Sequence, residues 1–157
     1  MNALDAADLR ILVRLQTDST VSASGIGAEI GLSAAAVQRR IKRLRQTGVI
    51  DGIAAHVNPV SVGVALSCIV AVELERDGAV HLASFKRRVL EMPEVQQCYY
   101  VTGPSDCILI VLSRDLSSFE RFTQRAFLMD ANVKSFTTHV VLERVKVGLE
   151  IDLSPGE

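Results

Sequence analysis

The sequence has few of the residues that build metal centres, disulfide frameworks and catalytic sites. Its three cysteines, Cys68, Cys98 and Cys107, are an odd number without a C-x-x-C pair, which argues against a disulfide framework and a thiolate metal site. All three lie in apolar, strand-like runs, where thiols usually pack as small buried hydrophobes. The three histidines lack the mutual spacing of metal ligands, and no catalytic triad, paired carboxylates or nucleotide-binding motif is evident. We therefore expect no metal, no cofactor and no enzymatic activity.

The chain also lacks a long uninterrupted hydrophobic run. Residues 52–72 carry no formal charge, but Asn58-Pro59 and Gly63 interrupt them. The strongly apolar part begins only near Val60, which leaves fewer than the ~20 residues that a membrane-spanning helix needs. The N-terminus has neither the basic region nor the apolar core of a signal peptide. These features predict a cytoplasmic protein.

The net charge of −1 hides an uneven distribution of charge along the chain. Residues 1–58 carry seven Lys and Arg against five Asp and Glu, whereas residues 59–157 carry ten against thirteen. The positive excess is concentrated in residues 33–48, SAAAVQRRIKRLRQTG, which hold five basic residues and no acidic one. This segment is the first candidate for contact with a negatively charged partner.

Three short helices are predicted within residues 1–58. The first spans 5–17 and is capped by Asp5, and the second spans 22–30 and is capped by Ser22. The third spans 33–48, begins at the N-cap Ser33 and ends at Gly48. Gly31-Leu32 makes a tight turn before the third helix, and residues 49–57 read as a short strand or wing. This order predicts a winged helix-turn-helix domain over 1–58, including the wing and a linker strand.

The remainder, residues 59–157, has the βαββαβ order of a ferredoxin-like domain. The predicted strands are 66–75, 95–102, 107–113 and 135–143, and the predicted helices are 79–91 and 115–128. In this fold both helices cover one face of the sheet, yet CILIVLS at 107–113 is apolar on both faces. A second copy of the chain is the simplest cover for the other face, so we expect an obligate dimer. A charge at Ile110 or Val111 should then give monomer or aggregate.

The third helix of the first domain has a buried side and a basic side. Val37, Ile41 and Leu44 form the buried stripe. A solvated face is the usual meaning of a charge run, but such a face normally mixes signs to gain i,i+4 pairs, and this helix contains no acidic residue. Alanines keep its first turn slim enough to enter a major groove with its amides toward phosphate. We therefore expect it to bind DNA.

Residue roles on this helix follow from position and charge. We expect Ala35, Ala36, Gln38 and Arg39 to lie nearest base edges, while the other basic residues serve phosphates. The predicted DNA-binding residues are Ser33, Ala35, Ala36, Gln38, Arg39, Arg40, Lys42, Arg43 and Arg45.

The chain as a whole resembles the Lrp/AsnC family, the feast/famine regulators. The matching stretches are LDAADLRILVRLQTDSTVS, IGLSAAAVQRRIKRLRQTGVIDG, VNPVSVG, MPEVQQCYYVTGPSDCILIV and FTTHVVLERVK, which together span residues 4 to 146. The resemblance implies a transcription factor with an N-terminal winged helix-turn-helix and a C-terminal effector-binding domain. It also implies a homodimer formed through sheet faces, often assembled as an octamer, and an amino-acid effector bound between subunits.

The resemblance places the effector at the turn between the two middle strands. The implied effector-binding residues are Tyr100, Val101, Thr102, Gly103, Pro104, Ser105, Asp106, Thr137 and Thr138. Gly103 allows close backbone approach, exposed amides can hold a carboxylate, and Asp106 is placed to accept bonds from an ammonium group. A plain hairpin turn is the alternative, since Gly, Pro, Ser and Asp are all turn formers.

Three positions depart from the pattern of the family. Ser105, preceded by Pro104, stands where an aromatic residue is common, and Thr20 stands where Arg is frequent. Arg45 replaces a usually acidic residue and should strengthen phosphate contact.

Three functions compete at this point. The leading one is a sequence-specific, DNA-binding transcriptional regulator that responds to an amino acid or a related small metabolite. An effector-independent, DNA-organising protein is the second. The third is an enzyme resembling the sirohaem decarboxylases that share the scaffold, which have no need of a basic recognition helix.

Overall fold

The computed structural model describes residues 4–75 and 79–153, and the chain divides into two compact units. One unit comprises Met1–Ala55 together with Lys146–Glu157, and the other is His56–Val145. The C-terminal segment thus groups with the first unit, although one domain was predicted over residues 59–157. Within the described residues, no helix is both long and apolar enough to cross a membrane.

The first unit contains three helices: α1 is Ala6–Thr17, α2 is Ala23–Ile30 and α3 is Ala34–Gln46. The predicted caps are confirmed. The side chains of Asp5, Ser22 and Ser33 each accept a hydrogen bond from a backbone N–H in the first turn of the helix that follows. Gly31, at φ 76°, ends α2 in the left-handed conformation and turns the chain into α3.

The core of this unit is small and is drawn from all three helices. Its buried members are Ile11, Leu12, Ile26, Val37 and Leu44. Gly27 in α2 is required by this packing, because a Cβ at that position would lie 2.3 Å from the carbonyl oxygen of Leu32. Glycine weakens an isolated helix, but at position 27 it allows α2 to pack closely against the turn before α3.

The strand predicted over residues 49–57 is wrong. Residues 51–58 have no regular secondary structure, and the described part of this unit offers no strand with which they could form a ladder. The C-terminal segment meets α1 instead. The Gln16 side chain accepts from the Ile151 N–H at 2.9 Å and donates to the Ile151 carbonyl at 3.2 Å.

The second unit has the predicted βαββαβ order. Its elements are β1 at Leu66–Leu74, α4 at Ala79–Leu90, β2 at Val95–Tyr100, β3 at Cys107–Ser113, α5 at Leu116–Thr123 and β4 at Val133–Val140. A π-helical turn, Gln124–Leu128, continues α5. The strands form one antiparallel sheet in the order β2-β3-β1-β4. The prediction of an α+β, ferredoxin-like arrangement is confirmed.

The two faces of this sheet differ in what packs against them. On one face, residues such as Val70, Leu109 and Val111 pack with Phe85 and Phe122 of the helices and are fully buried. The opposite face, which we call the open face, has no helix in the described chain. Its apolar residues are Ile69, Ala71, Tyr99, Ile108, Ile110 and Leu112.

The expectation that all three cysteines are buried is wrong for one of them. Cys68 and Cys107 are buried, but Cys98 is exposed. Cys98 lies on β2, which is an edge strand, and the helices that cover the central strands leave it in contact with solvent. An apolar sequence run therefore did not distinguish an edge strand from a central one.

Candidate nucleic-acid interface and effector site

The faces of α3 follow the predicted pattern in outline. Val37 and Leu44 are buried and Ile41 is half-buried, so the apolar stripe does face the core. Of the residues assigned to base edges, Ala35, Gln38 and Arg39 are exposed, while Ala36 is half-buried. The first turn is slim as expected, and Ser33 Oγ accepts from the Ala36 N–H at 3.2 Å.

Two of the five basic residues of α3 are bound by acids from α1. Arg40 Nη1 donates to Asp8 Oδ1 at 2.8 Å and to Asp5 Oδ2 at 2.7 Å. Arg43 Nη2 donates to Asp8 Oδ2. The Asp8 side chain is 0% exposed, and its oxygens are satisfied by the two arginines and by the Asp5 N–H, which donates to Asp8 Oδ2 at 3.2 Å.

The group formed by Asp5, Asp8, Arg40 and Arg43, which we call the clasp, shifts the pKa values of two of its members. The Asp8 N–H and the Arg40 guanidinium lower the pKa of Asp5, and the carboxylates of Asp5 and Asp8 raise the pKa of Arg40. Basic residues of α3 therefore do have an acidic partner, but it lies on α1. The composition of α3 alone could not reveal this partner. Asp8 was not among the predicted DNA-binding residues, yet it holds two of them, Arg40 and Arg43, in place.

Three cations of α3 remain directed to solvent. Arg39, Lys42 and Arg45 are exposed, and no ion pair engages them within the described residues. They follow one another at intervals of three residues, which places them along one side of the helix. These three, with Gln38, make a basic surface that is free to meet phosphates and base edges.

The turn predicted to bind the effector joins β2 to β3. Gly103 has φ 124°, a conformation that L residues rarely adopt, and no atom lies within 4 Å of a Cβ built there. The turn is closed by the Val101 N–H, which donates to the Asp106 carbonyl at 2.9 Å. Among the described residues, the N–H groups of Thr102, Gly103 and Ser105 have no acceptor. These donors are available to a carboxylate.

Asp106 has one structural partner already. Its Oδ2 accepts from the Leu74 N–H at 2.8 Å, and its own N–H donates to the Val72 carbonyl at 2.9 Å. The side chain therefore ties the turn to the end of β1. Only Oδ1 has no partner in the described structure and is available to an ammonium group.

The other predicted effector residues are only partly brought together. Tyr100 lies opposite Cys107, is 59% exposed and has Lys86 Nζ 4.2 Å from its ring centre. Thr137 lies opposite Ala71 on the open face, whereas Thr138 lies opposite Val70 on the helix-covered face. Because successive side chains of a strand point to opposite faces, these two hydroxyls do not share one face of the sheet.

In the described chain, no group of three or more His, Cys, Asp or Glu side chains has the arrangement of a metal site.

The sequence matches two family models in succession. Residues 4–45 match the AsnC-type helix-turn-helix domain, and residues 67–151 match the Lrp/AsnC ligand binding domain. The chain is 39% identical over 150 residues to the HTH-type transcriptional regulator y4tD of Sinorhizobium fredii, an alignment that covers 96% of this chain and 89% of the relative.

Solved structures of similar proteins cover almost the whole chain. An AsnC family transcriptional regulator from Agrobacterium tumefaciens superposes with a TM-score of 0.89 at 28% identity, covering 96% of this chain and 97% of the other. A transcriptional regulator from Neisseria meningitidis, solved in complex with L-Met, gives a TM-score of 0.90 at 27% identity, covering 97% and 98%.

Proposed function

We propose that this chain, which belongs to the Lrp/AsnC family of helix-turn-helix transcriptional regulators, reads duplex DNA with α3 and is controlled by an amino acid bound in its second unit. The DNA-binding part of this proposal rests on the observation that the basic residues of α3 fall into two groups. Arg40 and Arg43 are held by carboxylates, while Arg39, Lys42 and Arg45 point to solvent without a partner in the described structure.

This division refines the roles of the basic residues. Arg39 stands in the first half of the helix, near the slim alanine turn, and is the candidate for reading a base edge. Lys42 and Arg45 lie further along and serve phosphates. Arg40 and Arg43 fix α3 against α1, and their remaining N–H groups can still reach a phosphate at the edge of the interface.

The effector half rests on the turn between β2 and β3. An amino acid carries a carboxylate, which the unpaired N–H groups near Gly103 would bind, and an ammonium group, which Asp106 Oδ1 would accept. The similarity to a regulator solved with L-Met supports an amino acid as the ligand class. L-methionine is accordingly the first ligand to test.

A homodimer formed through the open face completes the proposal. Ile69 is 37% exposed in the chain, and Ile108, Ile110 and Leu112 continue its apolar surface across β3. A second copy of the same face would remove this surface from water and would set two copies of α3 on one DNA duplex.

The test uses the full chain and DNA selected by it from a random library. Fluorescence anisotropy would compare selected with random duplexes, each with and without L-methionine and the other protein amino acids. We expect tighter binding to the selected duplex and a change in that affinity with at least one amino acid. Equal affinity for all duplexes, with no response to any amino acid, would instead identify an effector-independent, DNA-organising protein.

A further inference from the structure

Two of the three cysteines meet on the β2–β3 hairpin. Cys98 on β2 pairs with Leu109 and Cys107 on β3 pairs with Tyr100, so the two thiols are diagonal neighbours on one face of the sheet. This placement allows the Cys107 S–H to donate to the Cys98 sulfur. Cys68 pairs with Val111, four residues along β3 from Cys107, and takes no part in this contact.

The two thiols differ in access and in acidity. Cys98 is exposed, whereas Cys107 is buried beside it. The hydrogen bond from Cys107, with the nearby Lys86 ammonium, lowers the pKa of Cys98 to about 7. The same hydrogen bond, together with burial, raises the pKa of Cys107. An accessible thiolate beside a protected thiol is the arrangement of an attacking and a resolving cysteine.

We propose that Cys98 and Cys107 are a redox pair, which a peroxide converts into an intrachain disulfide across the β2–β3 hairpin. The Cys98 thiolate attacks a peroxide oxygen, the O–O bond breaks, and with one proton the products are a sulfenic acid and water. The Cys107 sulfur then attacks the Cys98 sulfur, the S–O bond breaks, and the Cys107 proton leaves with the second water. Two thiols are oxidised and one peroxide is reduced to two waters.

Removal of the Cys98 charge makes the second step feasible. In the reduced pair the Cys107 proton is held by the adjacent Cys98 thiolate. Once Cys98 is a neutral sulfenic acid, that attraction is lost and Cys107 can give up its proton to become the nucleophile.

The position of β2 allows the bond to close. Diagonal neighbours on an antiparallel pair have Cα atoms about 7–8 Å apart, and a disulfide requires no more than about 7 Å. β2 is an edge strand with a register irregularity between Val95 and Gln97. Its backbone near Cys98 can therefore shift along β3, which shortens the diagonal, without disturbing another strand of the described sheet. A bond closed by such a movement is readily reduced, so the modification is reversible.

Cys98 and Cys107 lie on either side of the turn at residues 101–106, so a disulfide between them would affect that turn. This part of the inference rests on the proposed function. Movement of β2 displaces Tyr100 and Val101 relative to Asp106 and so alters the turn that would hold the effector. We expect oxidation to weaken L-methionine binding about fivefold or more.

The chemical test follows the thiols of the full chain. Reduced protein, freed of reductant, is treated with stoichiometric hydrogen peroxide and examined by intact mass, thiol titration and peptide mapping. We expect the loss of two hydrogens, one free thiol remaining of the three, and a peptide that joins Cys98 to Cys107. Cys98→Ser and Cys107→Ser should not form it, while the matched control Cys68→Ser should. Retention of all three thiols, or a disulfide linking two chains through Cys98, would overturn the proposal.

The regulatory test is separate. Calorimetry with L-methionine compares reduced, oxidised and re-reduced protein after catalase has removed the peroxide, with peroxide-treated Cys98→Ser as control. Weaker binding only in the oxidised wild type supports regulation. Equal affinity in a protein whose disulfide is proven by mass would exclude it. If the reduced protein binds no amino acid, the effector proposal fails, and the mass data still decide the disulfide.

Discussion

The buried carboxylate of Asp8, in the first turn of α1, accepts a hydrogen bond of 2.8 Å from Arg40 Nη1, in the middle of α3. With Arg43 on its other oxygen, Asp8 joins the first helix of the chain to the helix that we assign to DNA. A buried carboxylate with two arginine partners is stabilising only while both partners are present. The orientation of α3 therefore depends on a residue that does not face the proposed DNA surface.

Replacement of Asp8 should destabilise the first unit. In Asp8→Asn the buried side chain loses its charge and one acceptor oxygen, and Arg40 keeps only its pair with Asp5, which should lower the free energy of unfolding by about 1–3 kcal/mol. Urea unfolding followed by circular dichroism measures this change. Asp5→Asn is the matched comparison, because it keeps the helix cap and removes only the exposed charge that pairs with Arg40, so it should cost less. An equal loss in both variants would contradict a special role for the buried carboxylate of Asp8.

Arg39 and Lys42 should affect DNA binding in different ways. Arg39→Ala should weaken binding to a selected site by about 1–3 kcal/mol and relax its sequence preference, because a base contact is lost. Lys42→Ala should weaken selected and random duplexes alike and make the salt dependence shallower by about one unit of slope. Titrations at several salt concentrations measure both quantities. Identical effects of the two variants on both duplexes would show that the roles are wrongly assigned.

Adjacent residues of β3 should respond oppositely to a charge. Ile110 lies on the open face opposite Ile69, whereas Val111 is buried under the helices. Ile110→Lys should give a folded monomer, and Val111→Lys should unfold the second unit, because it buries an unpaired charge. Light scattering and circular dichroism measure the two outcomes. A wild-type chain that is monomeric at micromolar concentration would remove the basis for this prediction.

Asp106 should separate binding from folding. Asp106→Asn keeps an oxygen for the Leu74 N–H but loses the charge, so it should retain stability and lose affinity for L-methionine. Asp106→Ala should also lose about 1 kcal/mol of stability, because the hydrogen bond to β1 disappears. Calorimetry and thermal unfolding distinguish these effects. Unchanged L-methionine affinity in Asp106→Asn would exclude this carboxylate from the site.

Acid should weaken the start of α5. The pKa of Asp115 is lowered from 3.8, first by the hydrogen bond from the Ser118 N–H. The unfolded chain therefore binds this proton more readily, so the contribution of the carboxylate is present above about pH 3.8 and is lost as the pH falls through the lower, folded-state pKa. Urea unfolding of wild type and Asp115→Asn at neutral and at strongly acidic pH measures it. The advantage of the wild type should shrink in acid, and a constant difference would contradict the assignment.

The sequence by itself determined the elements whose causes are local. Asp5, Ser22 and Ser33 act on amides within the next turn, and Gly31 and Gly48 end their helices through a backbone preference of glycine. The strands and helices of the second unit were likewise predicted to within a few residues, because the period of apolar residues is set by each element alone. The family resemblance named the turn at 101–106.

Only the tertiary structure decided which groups distant in sequence come into contact. Asp8 contacts Arg40 across 32 positions, Asp106 contacts Leu74 across 32, and Gln16 contacts Ile151 across 135. The exposure of Cys98, its contact with Cys107 and the opposite placement of Ile110 and Val111 depend on strand order and cover. Such pairs are selected by the burial and packing of whole elements, and no short-range preference of the individual residues specifies them.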